Sequence, residues 1–341
     1  MRLILAATVA LLLAVPLAPA VQPPDPPVAG PEKDRVKMDE KTKAAVDRAL
    51  RWLRDQQAGD GSWGGHERVA MTAFTLLAFM SNGHVPNQGV YGLEVSRGVR
   101  YLLACADEGS GYIRGPGGGN MYAHGMATLA LTQVFGMTGD PEVKKVLKKA
   151  IELIIRSQNH EGGWRYEPAP TGADISVTIM QVMALRGAKD SGLHVPDRTI
   201  NEAVKYINRC FDRTRGGYKY QPYSAGAGYA RTAAGVCVLH LSGEYDADDI
   251  KKAVAYLETM REDRTHFWYG HYYAAHALNQ IGGDVWESYY ERMKRYLLSS
   301  QKADGQWYDT RYEANYGPIY HTSIGVLILS VPTHYLPIYQ K

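Results

Sequence analysis

Seven residues in this chain have side chains that could do chemistry together: His124, Asp174, Arg231, His271, Tyr272, Tyr320 and His321. Each falls where a strongly apolar segment begins, in the pairs Ala123-His124, Asp174-Ile175, Ala230-Arg231, His271-Tyr272 and Tyr320-His321, with Ala70-Met71 in the sixth segment. Imidazole, phenol, guanidinium and carboxylate groups gathered at helix starts suit an anionic or hydrogen-bonding ligand, because helix N-termini carry partial positive charge. Asp174, Tyr320 and His321 are the candidates for proton transfer within that set. Glu67, Arg68, Tyr122 and Tyr229 lie just outside it. Plain structural roles are also open: Asp174 suits an N-cap, and the histidines could bond loop carbonyls.

The elements that must position these residues read as twelve helices in six pairs. The first helix of each pair is amphipathic: 41–57, 91–106, 141–158, 197–211, 246–261 and 284–301. Apolar positions such as Val143, Val146, Ile151 and Ile154 recur at helical period, so one face meets solvent. The second helices, 69–80, 121–135, 174–185, 229–241, 270–281 and 320–329, are apolar nearly all round and must be buried. This alternation describes two layers with the apolar set inside. Trp63, Tyr112, Trp164, Tyr218, Trp268 and Trp307 recur in the connections at the length of one helix pair. Gln57, Gln158 and Gln301 precede three of these turns, and Ala106 and Arg261 replace the Gln in two degenerate ones. An open stack needs polar caps at its ends. The last inner segment, 324–331, is as apolar as the others, which favours a closed ring.

The rest of the chain bounds the function. Net charge is only +3, so nothing points to nucleic acid. Tyrosine outnumbers phenylalanine 24 to 5, and tyrosine suits wet cavities as well as cores. Arg2, the apolar run Leu3–Leu13 and Ala18-Pro19-Ala20 have the pattern of a signal peptide over residues 1–20. The expected address is secreted or periplasmic, with no membrane span after cleavage. Residues 21–40 begin Pro-rich and read as a linker, and residues 41–341 as the folded domain. Cys105, Cys210 and Cys237 are odd in number and irregular in spacing, so they read as small core residues rather than a disulfide framework.

Trp52-Leu53-x3-Gln57-x3-Gly61-x-Trp63 and Tyr296-Leu297-x3-Gln301-x3-Gly305-x-Trp307 match the QW repeat. From about Lys41 onward the chain resembles the prenyltransferase and squalene oxidase repeat proteins, which include squalene-hopene cyclases and protein prenyltransferase β subunits. The resemblance implies an all-α (α/α)6 toroid, six inner and six outer helices. It assigns Gln57, Trp63, Gln158, Trp164, Tyr218, Gln301 and Trp307 to packing rather than chemistry.

The enzymes that share this resemblance can be compared residue by residue. The acid motif of the cyclases, Asp-x-Asp-Asp-Thr-Ala, corresponds to Gly172-Ala173-Asp174-Ile175-Ser176-Val177 and keeps only Asp174. A lone carboxylate at a helix start is expected to stay ionised. Tyr320-His321-Thr322 resembles the zinc-ligand histidine of the prenyltransferases, but Ala230–Thr232 offers no ligand where they have Asp-x-Cys. A cluster of His124, Asp174, His271 and His321 has unrelated spacing, so no metal and no cofactor is expected. Polysaccharide lyases share the toroid, and Arg231, Tyr229, Tyr272 and Tyr320 would suit their chemistry, although no motif supports it. Gly115–Asn120 lacks the Cys-Gly-Glu-Gln of the thioester domains. The leading expectation is therefore a monomeric toroid that binds a small-molecule, glycan or peptide ligand in its central cavity, without cyclase or prenyltransferase chemistry. An enzyme on the same rim, lyase-like or cyclase-like, and a structural interaction module are the alternatives.

Overall fold

The computed structural model of the chain describes residues 36–243, 247–260 and 265–340. The signal peptide and the Pro-rich stretch expected before residue 36 lie outside these residues. Twelve α-helices alternate between an outer and an inner layer. The outer set is α1 (Glu40–Asp55), α3 (Gly92–Ala104), α5 (Pro141–Arg156), α7 (Asp197–Arg209), α9 (Ala247–Met260) and α11 (Gly283–Ser300). The inner set is α2 (Arg68–Met80), α4 (Met121–Thr138), α6 (Ile175–Asp190), α8 (Tyr229–Ser242), α10 (Phe267–Ile281) and α12 (Gly317–Leu329). A short antiparallel hairpin, β1 (Phe211–Asp212) with β2 (Gly217–Tyr218), forms the fourth turn.

Each inner helix packs on the next in the order α2, α4, α6, α8, α10, α12, and α12 returns to α2. The ring is closed. Its closure follows from burial: α12 has no polar face to offer solvent, and ten of its residues are buried. Among the described residues no helix is long and apolar enough to cross a membrane.

The turn residues build the joints. The indole N–H groups of Trp63, Trp164 and Trp307 donate to the carbonyls of Leu53, Ile154 and Leu297 at 2.6, 2.7 and 2.8 Å. Gly61, Gly162 and Gly305 stand at φ +90°, +90° and +101°, in the region that favours glycine. A Cβ there would also collide with the carbonyls of Arg97, Glu202 and Arg48 on the neighbouring outer helix. Trp268 differs from its expected place in the fifth turn. It is the second residue of α10, and its ring stacks on His321 at 4.8 Å. Cys105 and Cys210 end α3 and α7, Cys237 lies inside α8, and all three are free thiols.

The ring is blocked at the end where the inner helices finish. Residues Val331–Thr333 and Pro337–Tyr339 form short 3-10 turns there. The Ile338 N–H donates to Gln133 Oε1 at 3.0 Å, and the Tyr339 ring stacks on His276 at 3.6 Å. The Tyr339 and Tyr272 hydroxyls lie 3.1 Å apart, and Tyr272 stands edge-on to Phe74. The lumen is therefore blind.

Candidate functional site

The register of the inner helices is set by one buried polar residue in each first turn. Thr72, Thr178, Thr232 and Thr322 accept, through Oγ1, the backbone N–H of Trp63, Trp164, Tyr218 and Trp307 at 2.9 to 3.1 Å. In α4 the same task falls to His124, whose Nδ1 accepts the N–H of Ile113 at 3.1 Å. In α10 the matching residue is His271, whose Nδ1 lies 3.3 and 3.2 Å from the Tyr229 and Tyr289 hydroxyls. These six residues face away from the lumen.

Two residues earlier the chain has turned about 200° around the helix axis. Those positions are Ala70, Tyr122, Ser176, Ala230, Tyr269 and Tyr320, and every one of them lines a cavity of about 260 Å³ at the open end. Met71, Phe74 and Ala123 extend its apolar floor, and Tyr166, Tyr220 and Tyr316 add aromatic walls from the loops. Glu67, Glu313, Asn120, Arg231 and His266 complete the lining. A concave site with an apolar floor and a few convergent polar groups is where a ligand is expected to bind.

The seven residues singled out from the sequence divide accordingly. Arg231 and Tyr320 line the cavity. His124, Asp174, His271, Tyr272 and His321 do not, because the expected alignment placed them at the rim without the two-residue offset. His124 Nε2 donates to the Ala150 carbonyl, and its pKa is pushed down to about 4 by burial. His321 accepts the Asp309 N–H at 3.3 Å, bonds the Glu313 carbonyl at 3.2 Å, and is likewise held near 4 by burial. Burial lowers His271 to about 3. These histidines are neutral wall residues.

Asp174 caps α6, accepting the Val177 N–H at 3.0 Å. It is fully buried, its Oδ2 lacks a well-formed hydrogen bond, and burial raises its pKa. Desolvation thus outweighs the cap bond in setting the direction of its shift. Tyr272 belongs to the floor beneath Phe74.

Two carboxylates stand at the mouth: Glu67, which the sequence places just outside the candidate set, and Glu313, which it does not pick out. Glu67 (φ +47°) and Glu313 (φ +48°) are both non-glycine residues in the left-handed region, a strain found most often at functional positions. Glu313 is fixed: Oε2 accepts the Trp268 N–H at 2.6 Å, and Oε1 accepts the Tyr320 hydroxyl at 3.3 Å. It thereby caps α10 from a neighbouring repeat. The Glu67 side chain is exposed and caps nothing. Burial and then the charge of Glu313 raise the Tyr316 phenol, with Glu67 acting in the same sense. Burial also holds Tyr122, Tyr269 and Tyr320 above the ordinary phenol range, so they are protonated donors and not bases. Nothing in the sequence marks Glu313; of the four non-glycine residues with positive φ, Glu67, Asn87, Glu313 and His334, only the two glutamates line the cavity.

Fold and site together define an α/α toroid whose cavity opens at the N-terminal ends of its inner helices. Residues 33–338 match the model of the prenyltransferase alpha-alpha toroid domain, and the chain belongs to that family. No curated protein matches it. Similar solved structures include an inactive variant of the α-1,6-mannanase GH76A of Salegentibacter sp. HEL1_6 in complex with α-1,6-mannotriose. That pair has a TM-score of 0.66 at 7% identity, over 86% of this chain and 99% of that one. The cellobiose 2-epimerase from Bacillus thermoamylovorans B4167 gives 0.66 at 13% identity, over 85% and 98%. The type II terpene cyclase MstE from Scytonema gives 0.57 at 14% identity, over 86% and 98%. At such identities the likeness defines the fold alone.

Proposed function

We propose that the cavity binds a carbohydrate. The observation that carries this reading is the composition of the wall: six tyrosines with Asn120, Ser176, Arg231, Glu67 and Glu313 around a small apolar floor. Tyrosine rings offer flat faces to sugar C–H groups, and their hydroxyls with the mouth residues offer donors and acceptors. Toroids of similar fold include a mannanase and a sugar epimerase. A long isoprenoid fits less well, because Phe74, Tyr272 and Tyr339 stop the lumen. Asp174, the one residue kept from the cyclase acid motif, is not in the cavity lining. Isothermal titration with α-1,6-mannotriose, cellobiose and galactotriose, against geranylgeraniol, tests the reading. Binding of at least one sugar, weakened about tenfold or more by Tyr220→Ala, is expected from the loss of one aromatic face. Binding of geranylgeraniol with no response to sugars would overturn it.

The strained pair Glu67 and Glu313 favours a second reading, acid–base catalysis on the bound sugar. Sugar turnover abolished in both Glu67→Gln and Glu313→Gln, with binding kept, would establish it. Export to the periplasm or medium is part of the proposal, resting on Arg2, Leu3–Leu13 and Ala18-Pro19-Ala20. The N-terminal residue of the mature protein, expected at Val21, checks it.

A further inference from the structure

We infer that the sugar this cavity takes is an acidic one, carrying a carboxylate that Arg231 receives; the inference rests on the carbohydrate reading above. Arg231 is the third residue of α8 and lines the cavity. Among the described residues its guanidinium has no hydrogen-bond or ion-pair partner, and its Nε is buried without one. A guanidinium carries five N–H donors and a permanent charge. Leaving it partly buried and unpaired costs free energy that nothing in the wall offsets. No wall residue pairs it, and a ligand carboxylate entering the cavity would.

The acids of the cavity are placed where they do not serve. Glu313 is committed to the Trp268 N–H and the Tyr320 hydroxyl. Glu67 precedes α2, which is three steps around the six-helix ring from α8, so it faces Arg231 from the opposite side. The mouth is therefore divided, positive at α8 and negative at α2 and α12. No side chain caps α8, as none caps α2 or α12, whereas Asn120 caps α4, Asp174 caps α6 and Glu313 bonds the start of α10.

Gly228, just before α8, shapes the contact. A Cβ there would stand 2.6 Å from Arg231 Nη2 and 2.8 Å from Cζ. The guanidinium lies against this glycine, with Nη2 and Cζ nearest. A carboxylate accepts a guanidinium's donors through two parallel bonds. A single guanidinium also matches a single negative charge, which suits a carboxylate better than a doubly charged phosphate. The neighbouring phenols are donors and add no competing anion.

The test is titration calorimetry with tetragalacturonate and tetramannuronate, each against its neutral counterpart, galactotetraose and mannotetraose. At least one acidic sugar is expected to bind tenfold or more tighter than its neutral partner, with a margin that shrinks as salt rises. On the Arg231→Gln variant the acidic sugar should bind no tighter than its neutral counterpart. Gly228→Ala, which displaces the guanidinium without removing it, should act in the same direction and serves if Arg231→Gln lowers the Tm. Equal binding of acidic and neutral sugars, or a preference that survives Arg231→Gln, overturns this inference and leaves the carbohydrate reading standing. Failure of every sugar to bind overturns both.

Discussion

The side-chain amide of Gln301 donates to the backbone carbonyl of Ala45 at 2.8 Å, although 256 residues separate them. The same nitrogen donates to Gly305 O in its own turn at 2.9 Å. Gln57 makes this double bond to Gly61 O and Glu94 O, and Gln158 to Gly162 O and Thr199 O. One device ties three of the six turns to the next outer helix, and its last copy ties the sixth turn to α1.

Gln301→Ala should therefore cost as much as Gln158→Ala, about 1–3 kcal/mol for two bonds, read as a Tm lower by several degrees. If Gln158→Ala destabilises and Gln301→Ala does not, the last joint contributes nothing to closure.

Thr178 and Ser176 lie on opposite faces of α6. Thr178→Val keeps the shape but leaves the Trp164 N–H unpaired in the core, and should cost about 1–3 kcal/mol in urea unfolding. Ser176→Ala should leave stability within about 0.5 kcal/mol of the parent and change only ligand affinity. A reversed pattern would mean that the two faces have been misassigned.

Stability should fall on mild acidification. His124 and His321 are held near 4, and His271 and His276 near 3, by burial, against about 6.5 when unfolded. Above about 6.5 neither state binds these protons, so they do not make stability depend on pH. Below it the unfolded chain takes protons that the folded one refuses. Each histidine then costs up to about 1.4 kcal/mol per pH unit, until pH reaches its folded value. Urea midpoints between pH 8 and 4.5 should be flat and then drop; a rise between 6.5 and 5 would contradict the assignment of these histidines.

Asp174 works in the other sense. Its folded pKa is raised, so the native state binds the proton more readily and gains stability as pH falls through that range. Asp174→Asn keeps an oxygen to cap α6 and removes a buried charge. At neutral pH it should be as stable as the parent or more so, with the gain on acidification gone. A loss above about 2 kcal/mol at pH 7, the upper range for losing a cap, would show that the charge itself is needed.

The sequence determined the layers. Six helices apolar all round, such as α12, cannot face water, and six with one polar face, such as α5, can cover them. That pattern, with its turn residues at a regular spacing, required two layers, favoured closing them into a ring, and placed every helix to within a few residues. It also brought Arg231 and Tyr320 to the right end. What it could not supply was the rotation of each inner helix. Aligning the apolar runs by their starts selected His124, His271 and His321, which prove to be ties in the wall. One residue along a helix is about 100° around it, and an apolar segment carries no mark of which side faces the lumen. Only the tertiary bonds of Thr72, Thr178, Thr232 and Thr322 to the turns fix that angle, and with it the tyrosine ring. Glu313 was hidden for a related reason: it sits in a loop, and only the folded ring brings its carboxylate to the Trp268 N–H and the Tyr320 hydroxyl.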